Sequence, residues 1–204
     1  MIVKTRYYST LIGIFCLTMF LLGCGNQKAE VPQSTPPVVK SPSTTTQLVE
    51  WKSDGTISEN EYSKQQKIGD IDVFTRINGD TVMIALRTKT TGYMSIGIGA
   101  EEKMKGADIL MCSVKNGQVT LTEEYSPDQV GPHPAKQGSA PAISMVNGSY
   151  KEGIMIVEFT RKLNPGGPQD KPLIIGDNKI IWATSDSDIT TKKHTQRGAG
   201  VLVL

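Results

Sequence analysis

Cysteine, histidine and aromatic residues are scarce in this chain, and each shortage excludes something. With only His133 and His194 present, a zinc site built from several imidazoles is out of reach. There is no C-x-x-C, no H-E-x-x-H, no G-x-S-x-G and no Walker loop, so hydrolytic and nucleotide chemistry find no residues to stand on. The sequence predicts no enzyme. An excess of one charge is also missing. The formal net charge is +2, and Lys4 and Arg6 lie in a segment expected to be removed, which brings the 22 basic residues level with the 20 acidic ones. The basic stripe of a nucleic-acid binder is therefore absent, as is a polybasic patch for anionic lipid.

Long apolar runs are confined to the N-terminus. Lys4 and Arg6 precede an apolar stretch over residues 11–22, which is short for a spanning helix of roughly 20 residues and of the length of a secretory signal core. It ends in Leu21-Leu22-Gly23-Cys24, which looks like a bacterial lipobox. Residues 1–23 then read as a lipoprotein signal peptide, with Cys24 as the acylated residue that tethers the protein to a membrane of the cell envelope, outside the cytoplasm. Residues 24–47, rich in Pro, Ser and Thr and without periodicity, read as a disordered linker. The folded domain spans residues 48–204. With Cys16 removed and Cys24 modified, Cys112 is the one remaining thiol, so no intramolecular disulfide is expected and Cys112 reads as a small apolar core residue.

Within that domain the hydrophobic period is two. Val82, Ile84 and Leu86 alternate with Met83, Ala85 and Arg87; Met94, Ile96 and Ile98 alternate with Ser95, Gly97 and Gly99. Strands over residues 109–114 and 118–123 flank Asn116-Gly117, the signature of a primed two-residue hairpin turn. A second hairpin is predicted from residues 142–146 and 154–161, turning at Asn147-Gly148, with further strands at 179–184 and 200–204. One short helix is predicted near residues 58–66. Eight or more short strands without long amphipathic helices predict an all-β fold, an antiparallel β-sandwich. Met94, Met111, Met145 and Met155 fall on strands and read as core. His133, between two prolines, reads as a surface turn residue.

The order of certain residues resembles the DOMON domain family across nearly the whole domain. It runs through Trp51, Asp54-Gly55, Glu61-Tyr62, the stretch from Thr91 to Gly99, Met104 to Asp108, Tyr125-Ser126, Glu158 to Leu163, Asp170 to Leu173, Ile181-Trp182-Ala183 and His194 before Gly198. Tyr93 stands where the family often has Trp. The resemblance implies a β-sandwich that binds b-type haem or a sugar. In the haem-binding branch, similar to the cytochrome domain of cellobiose dehydrogenase, the axial ligands are a Met after the G-x-G strand and a late His, positions matching Met104 and His194. Met104 sits isolated among Glu101, Glu102, Lys103 and Lys105, where packing gives no reason for an apolar residue. His194 alone would read as a solvated loop residue.

A thioether and an imidazole fill both axial positions of iron, which suits single-electron transfer to a redox protein partner. C-x-x-C-H is absent, so the haem would be held without thioether linkages. The strand surface left bare by Gly97 and Gly99, with Met94, Ile96 and Ile98 or the opposite face, is expected to form the apolar wall, and Arg197, Lys192 and Lys193 to meet the propionates. Lys192 or Lys193 is the alternative ligand to His194. The competing reading is a non-redox module binding a sugar or other small ligand, with Trp51, Trp182 and Tyr125 as stacking platforms.

Overall fold

The computed structural model describes residues 47–131, 133–137, 141–187 and 192–204. The expected signal peptide, Cys24 and nearly all of the expected linker lie outside the described residues. Among the described residues ten strands follow in chain order: β1 Lys64–Ile68, β2 Ile71–Asn78, β3 Thr81–Lys89, β4 Tyr93–Ile98, β5 Asp108–Lys115, β6 Gln118–Tyr125, β7 Ile143–Lys151, β8 Ile154–Lys162, β9 Asp177–Ser185 and β10 Gln196–Val203. They form two antiparallel five-stranded sheets, ordered β1-β2-β3-β8-β7 and β10-β9-β4-β5-β6. This is the sandwich that the period-two pattern predicts.

Alternation places the core. Val82, Ile84 and Leu86 of β3 meet Met94, Ile96 and Ile98 of β4 between the sheets, with Leu110, Cys112, Val157, Phe159 and Leu202 filling the same layer. Each fully buried side chain of this kind contributes roughly 1.5–3 kcal/mol. Burial pushes the Cys112 thiol up to about 12, so it stays protonated and inert as a core residue.

Three local expectations are corrected. No helix forms at residues 58–66; Asn60 takes a positive φ of 61°, and β1 begins at Lys64. The turn of the second hairpin is Glu152-Gly153, with φ 53° and 79°, not Asn147-Gly148. β7 runs through Asn147 and Gly148 after a register shift between Ser144 and Asn147. Gly148 serves close approach instead, since a Cβ there would lie 2.4 Å from the Ile156 carbonyl oxygen. Met145 sits in that bulge with φ 53° and 62% exposure, outside the core. The Asn116-Gly117 turn forms as predicted, with φ 51° and 76°.

Several residues that carry the family resemblance join two polar networks. Trp51 Nε1 donates to the Tyr62 hydroxyl at 2.8 Å, and that hydroxyl donates to Glu158 Oε1 at 2.6 Å. The Asp54 and Gly55 N–H groups donate to Glu158 Oε2 at 3.1 and 2.7 Å, pinning the segment before β1 to the first sheet. In the second network the buried Arg161 pairs with Asp108 at 2.8 Å, and Lys136 pairs with Asp108 at 3.2 Å, with Glu123 at 3.0 Å and with Asp170. That cluster ties the segment following β6 to the second sheet.

Candidate functional site

Register defines the outer face of the second sheet. Gly97 stands opposite Ile109 and Ile181, Ser95 opposite Met111 and Ala183, and β10 continues the rows with Ala199 and Arg197. These side chains point away from the sandwich core, yet Tyr93, Ser95, Ile109 and Met111 are buried. Loops cover them. The β4–β5 connection, the segment after β6 and the approach to β10 enclose a cavity of about 340 Å³ between themselves and the sheet. That volume is within the range of small-molecule and cofactor sites.

The loops bring the polar and sulfur-bearing groups. Met104 and Lys103 enter from the β4–β5 connection, a tight double turn in which Glu101 N–H donates to the Lys105 carbonyl at 2.9 Å and Ala107 N–H to the Met104 carbonyl at 3.0 Å. Its Gly106 N–H donates to the Ser126 carbonyl at 2.7 Å, anchoring the loop at the end of β6. His194 enters from the segment before β10, which is anchored to β4 by the Tyr93 hydroxyl donating to the Lys192 carbonyl at 3.0 Å. Burial, followed by the nearby Arg197 charge, lowers the His194 pKa and favours a neutral imidazole with a free lone pair.

Of the expected haem contacts, Met104, His194, Gly97 and Arg197 line this one cavity. Met94 and Ile96 do not; strand alternation sends them, with Ile98, into the core between the sheets. The bare surface expected at the two glycines is also corrected. The Ile181 side chain fills the space beside Gly97, where a Cβ would lie 2.7 Å from Ile181 Cγ1, and Gly99 is a turn residue with φ 69° packed on Lys171. Lys192 and Lys193 are exposed.

Of the three candidate stacking platforms, Trp182 lines the cavity and Trp51 does not. Trp51 is tied into the Tyr62–Glu158 network, and the Trp182 ring packs inward against Gly69 and Gly198.

Sequence reasoning missed several members of the site, among them Tyr93, Met111 and His133. Met111 reads as a core residue because period two marks faces without telling which face is covered by loops, and Tyr93 is noted only as a family position. His133, expected as a surface turn residue, lines the cavity with its Nδ1 against the Glu124 carboxylate. Nothing local in the sequence announces that pairing, because the carboxylate belongs to β6.

The geometry has relatives. The profile of the DOMON domain family matches residues 65–185, a span that includes Met104 and His133 and ends before His194. DBH-like monooxygenase protein 1 of Mus musculus is 26% identical over 111 residues, which cover 54% of this chain and 18% of that protein. Its Gallus gallus counterpart is 26% identical over 123 residues, covering 59% and 19%. The chain thus spans under a fifth of the curated relatives it matches. Among solved structures, the cytochrome b domain of pyranose dehydrogenase from Coprinopsis cinerea superposes with a TM-score of 0.51 at 15% identity, covering 65% of this chain and 76% of that one. The cytochrome domain of Myriococcum thermophilum cellobiose dehydrogenase gives 0.51 at 12%, covering 71% and 78%. At these identities the likeness is one of fold.

Proposed function

This chain belongs to the DOMON domain family, and from that premise we propose that it is a b-type haem carrier for single electrons, tethered to a membrane outside the cytoplasm through an acylated Cys24. The observation that carries the proposal is the cavity on the second sheet, where Met104 and His194 enter over a buried apolar floor. To hold a haem group the protein would have to supply donors for its iron, an apolar surface and counter-charges for two carboxylates. The residues fit each demand. Met104 offers a thioether, His194 a neutral imidazole, Ile109, Met111 and Ile181 the floor, and Lys103 and Arg197 the cations at the lining.

When bound, such a group supplies a one-electron couple. Met104 and His194 would hold it, the thioether favouring a higher potential than a second imidazole would; with both donors engaged, the protein would serve as a carrier and not as an enzyme. A redox protein partner outside the cytoplasm exchanges the electron.

Titrating the purified full-length protein with hemin tests the reading. Wild type is expected to saturate at one equivalent with a sharp Soret band, and to show narrow α and β bands after dithionite. His194→Ala is expected to lose most of its haem, since no covalent linkage retains it. A wild type that takes up no hemin would overturn the proposal.

A further inference from the structure

Both histidines of the chain line the same cavity, and His133 has no duty yet. Its Nδ1 lies against Glu124 Oε2, while the other Glu124 oxygen accepts from Thr122 Oγ1 at 2.8 Å. A histidine that binds metal through one ring nitrogen usually donates the other N–H to a carboxylate, which fixes the tautomer and makes the free nitrogen more basic. With Nδ1–H donating to Glu124, the lone pair is on Nε2. His133 therefore carries the bracing expected of an iron ligand.

Its place in the fold says which position it would take. The His133 segment runs along β6: Tyr125 N–H donates to the Pro134 carbonyl at 3.0 Å, and Lys136 N–H to the Glu123 carbonyl at 3.1 Å. The Met104 loop is anchored to the end of that same strand at Ser126. His194 precedes β10, at the opposite edge of the order β10-β9-β4-β5-β6. Met104 and His133 share one flank of the site, and His194 holds the other.

We propose that His133 competes with Met104 for one axial position, so that the site has two ligation states, His194 with Met104 and His194 with His133. This rests on the haem reading above. The second state has the lower potential, because an imidazole replaces a thioether. The balance between the two donors sets the potential at which the carrier works, and the Glu124 carboxylate is the positioning group that biases it.

Full-length wild type, Met104→Ala, His133→Ala, the double variant and Met104→Ala with Glu124→Gln are each loaded with hemin. Their absorption and electron paramagnetic resonance spectra and redox titrations are recorded, with apoprotein melting checked for each. Met104→Ala is expected to stay six-coordinate and low-spin, with a bis-imidazole signal and a lower potential than wild type. The double variant is expected to lose the low-spin signal for a five-coordinate, high-spin one, and Glu124→Gln to lower the low-spin fraction of Met104→Ala. A high-spin Met104→Ala, or a low-spin one unchanged by removing His133, would overturn the competition while leaving haem binding intact. Failure of wild type to bind hemin would remove both.

Discussion

Tyr62 shows how a family-marking residue earns its place by structure. Its hydroxyl receives the Trp51 indole N–H and donates to Glu158, whose side chain is buried. Burial raises the Glu158 pKa, and the Tyr62 hydrogen bond, with those from Gly55 and Asp54, opposes that rise. Tyr62→Phe removes one of the opposing donors and leaves the Trp51 N–H without its acceptor, at a cost of about 1–2 kcal/mol. The pH dependence follows from the sign. A folded-state carboxyl pKa above the unfolded value contributes stability that is present at low pH and lost as pH rises through the folded value. The variant raises the folded value further, so its deficit against wild type is expected to widen from pH 4 to pH 7 in denaturant titrations. A constant deficit would show that the hydroxyl packs without tuning Glu158. At this scale the sequence was partly legible. Met104 stood out as an apolar residue among charges, and Met104 and His194 do line one cavity. His133 did not stand out, because its partner lies on a neighbouring strand.

Elements were legible where residue types alternate or a turn dipeptide marks the join. β3, β4 and the β5–β6 hairpin announce themselves by alternation and by Asn116-Gly117, whereas the outer face of β4 is as buried as its inner one and alternation alone misassigns its role. β2 has consecutive buried residues at Val73, Phe74 and Thr75, which blurs the period. Turn chemistry failed at Asn147-Gly148 because a glycine admits both a turn and a close neighbour. The same ambiguity supplies a test at Gly69, between β1 and β2. A Cβ there would lie 2.0 Å from the Trp182 ring, in a backbone with φ 59°, while Gly117 has φ 76° and open space. Gly69→Ala combines overpacking with backbone strain and is expected to cost about 3 kcal/mol, against about 1 kcal/mol for Gly117→Ala. Because Trp182 is on β9, whose outward neighbours Ile181 and Ala183 line the cavity, Gly69→Ala should also shift tryptophan emission and weaken hemin uptake. Equal melting temperatures for the two variants would mean that Trp182 has room to move.

The whole molecule uses the two outer faces of its sandwich differently. The segment carrying Trp51, Asp54 and Gly55 is pinned to the first sheet through Glu158, and the loops roof the second over a cavity. Among the described residues no helix is long and apolar enough to cross a membrane. Independently of that, the proposed tether rests on acyl chains at Cys24, at roughly 0.8 kcal/mol per buried CH₂. Substitution at that sulfur should remove the affinity without touching the cavity. Cys24→Ala is expected to abolish fatty-acid labelling and shift the protein from the membrane pellet to the soluble fraction or to an unprocessed precursor. Any correctly folded fraction should keep its hemin stoichiometry. A variant that still labels and still sediments with membranes would refute the anchor. One that loses both labelling and hemin binding would show that the proposed tether and the haem site do not act independently.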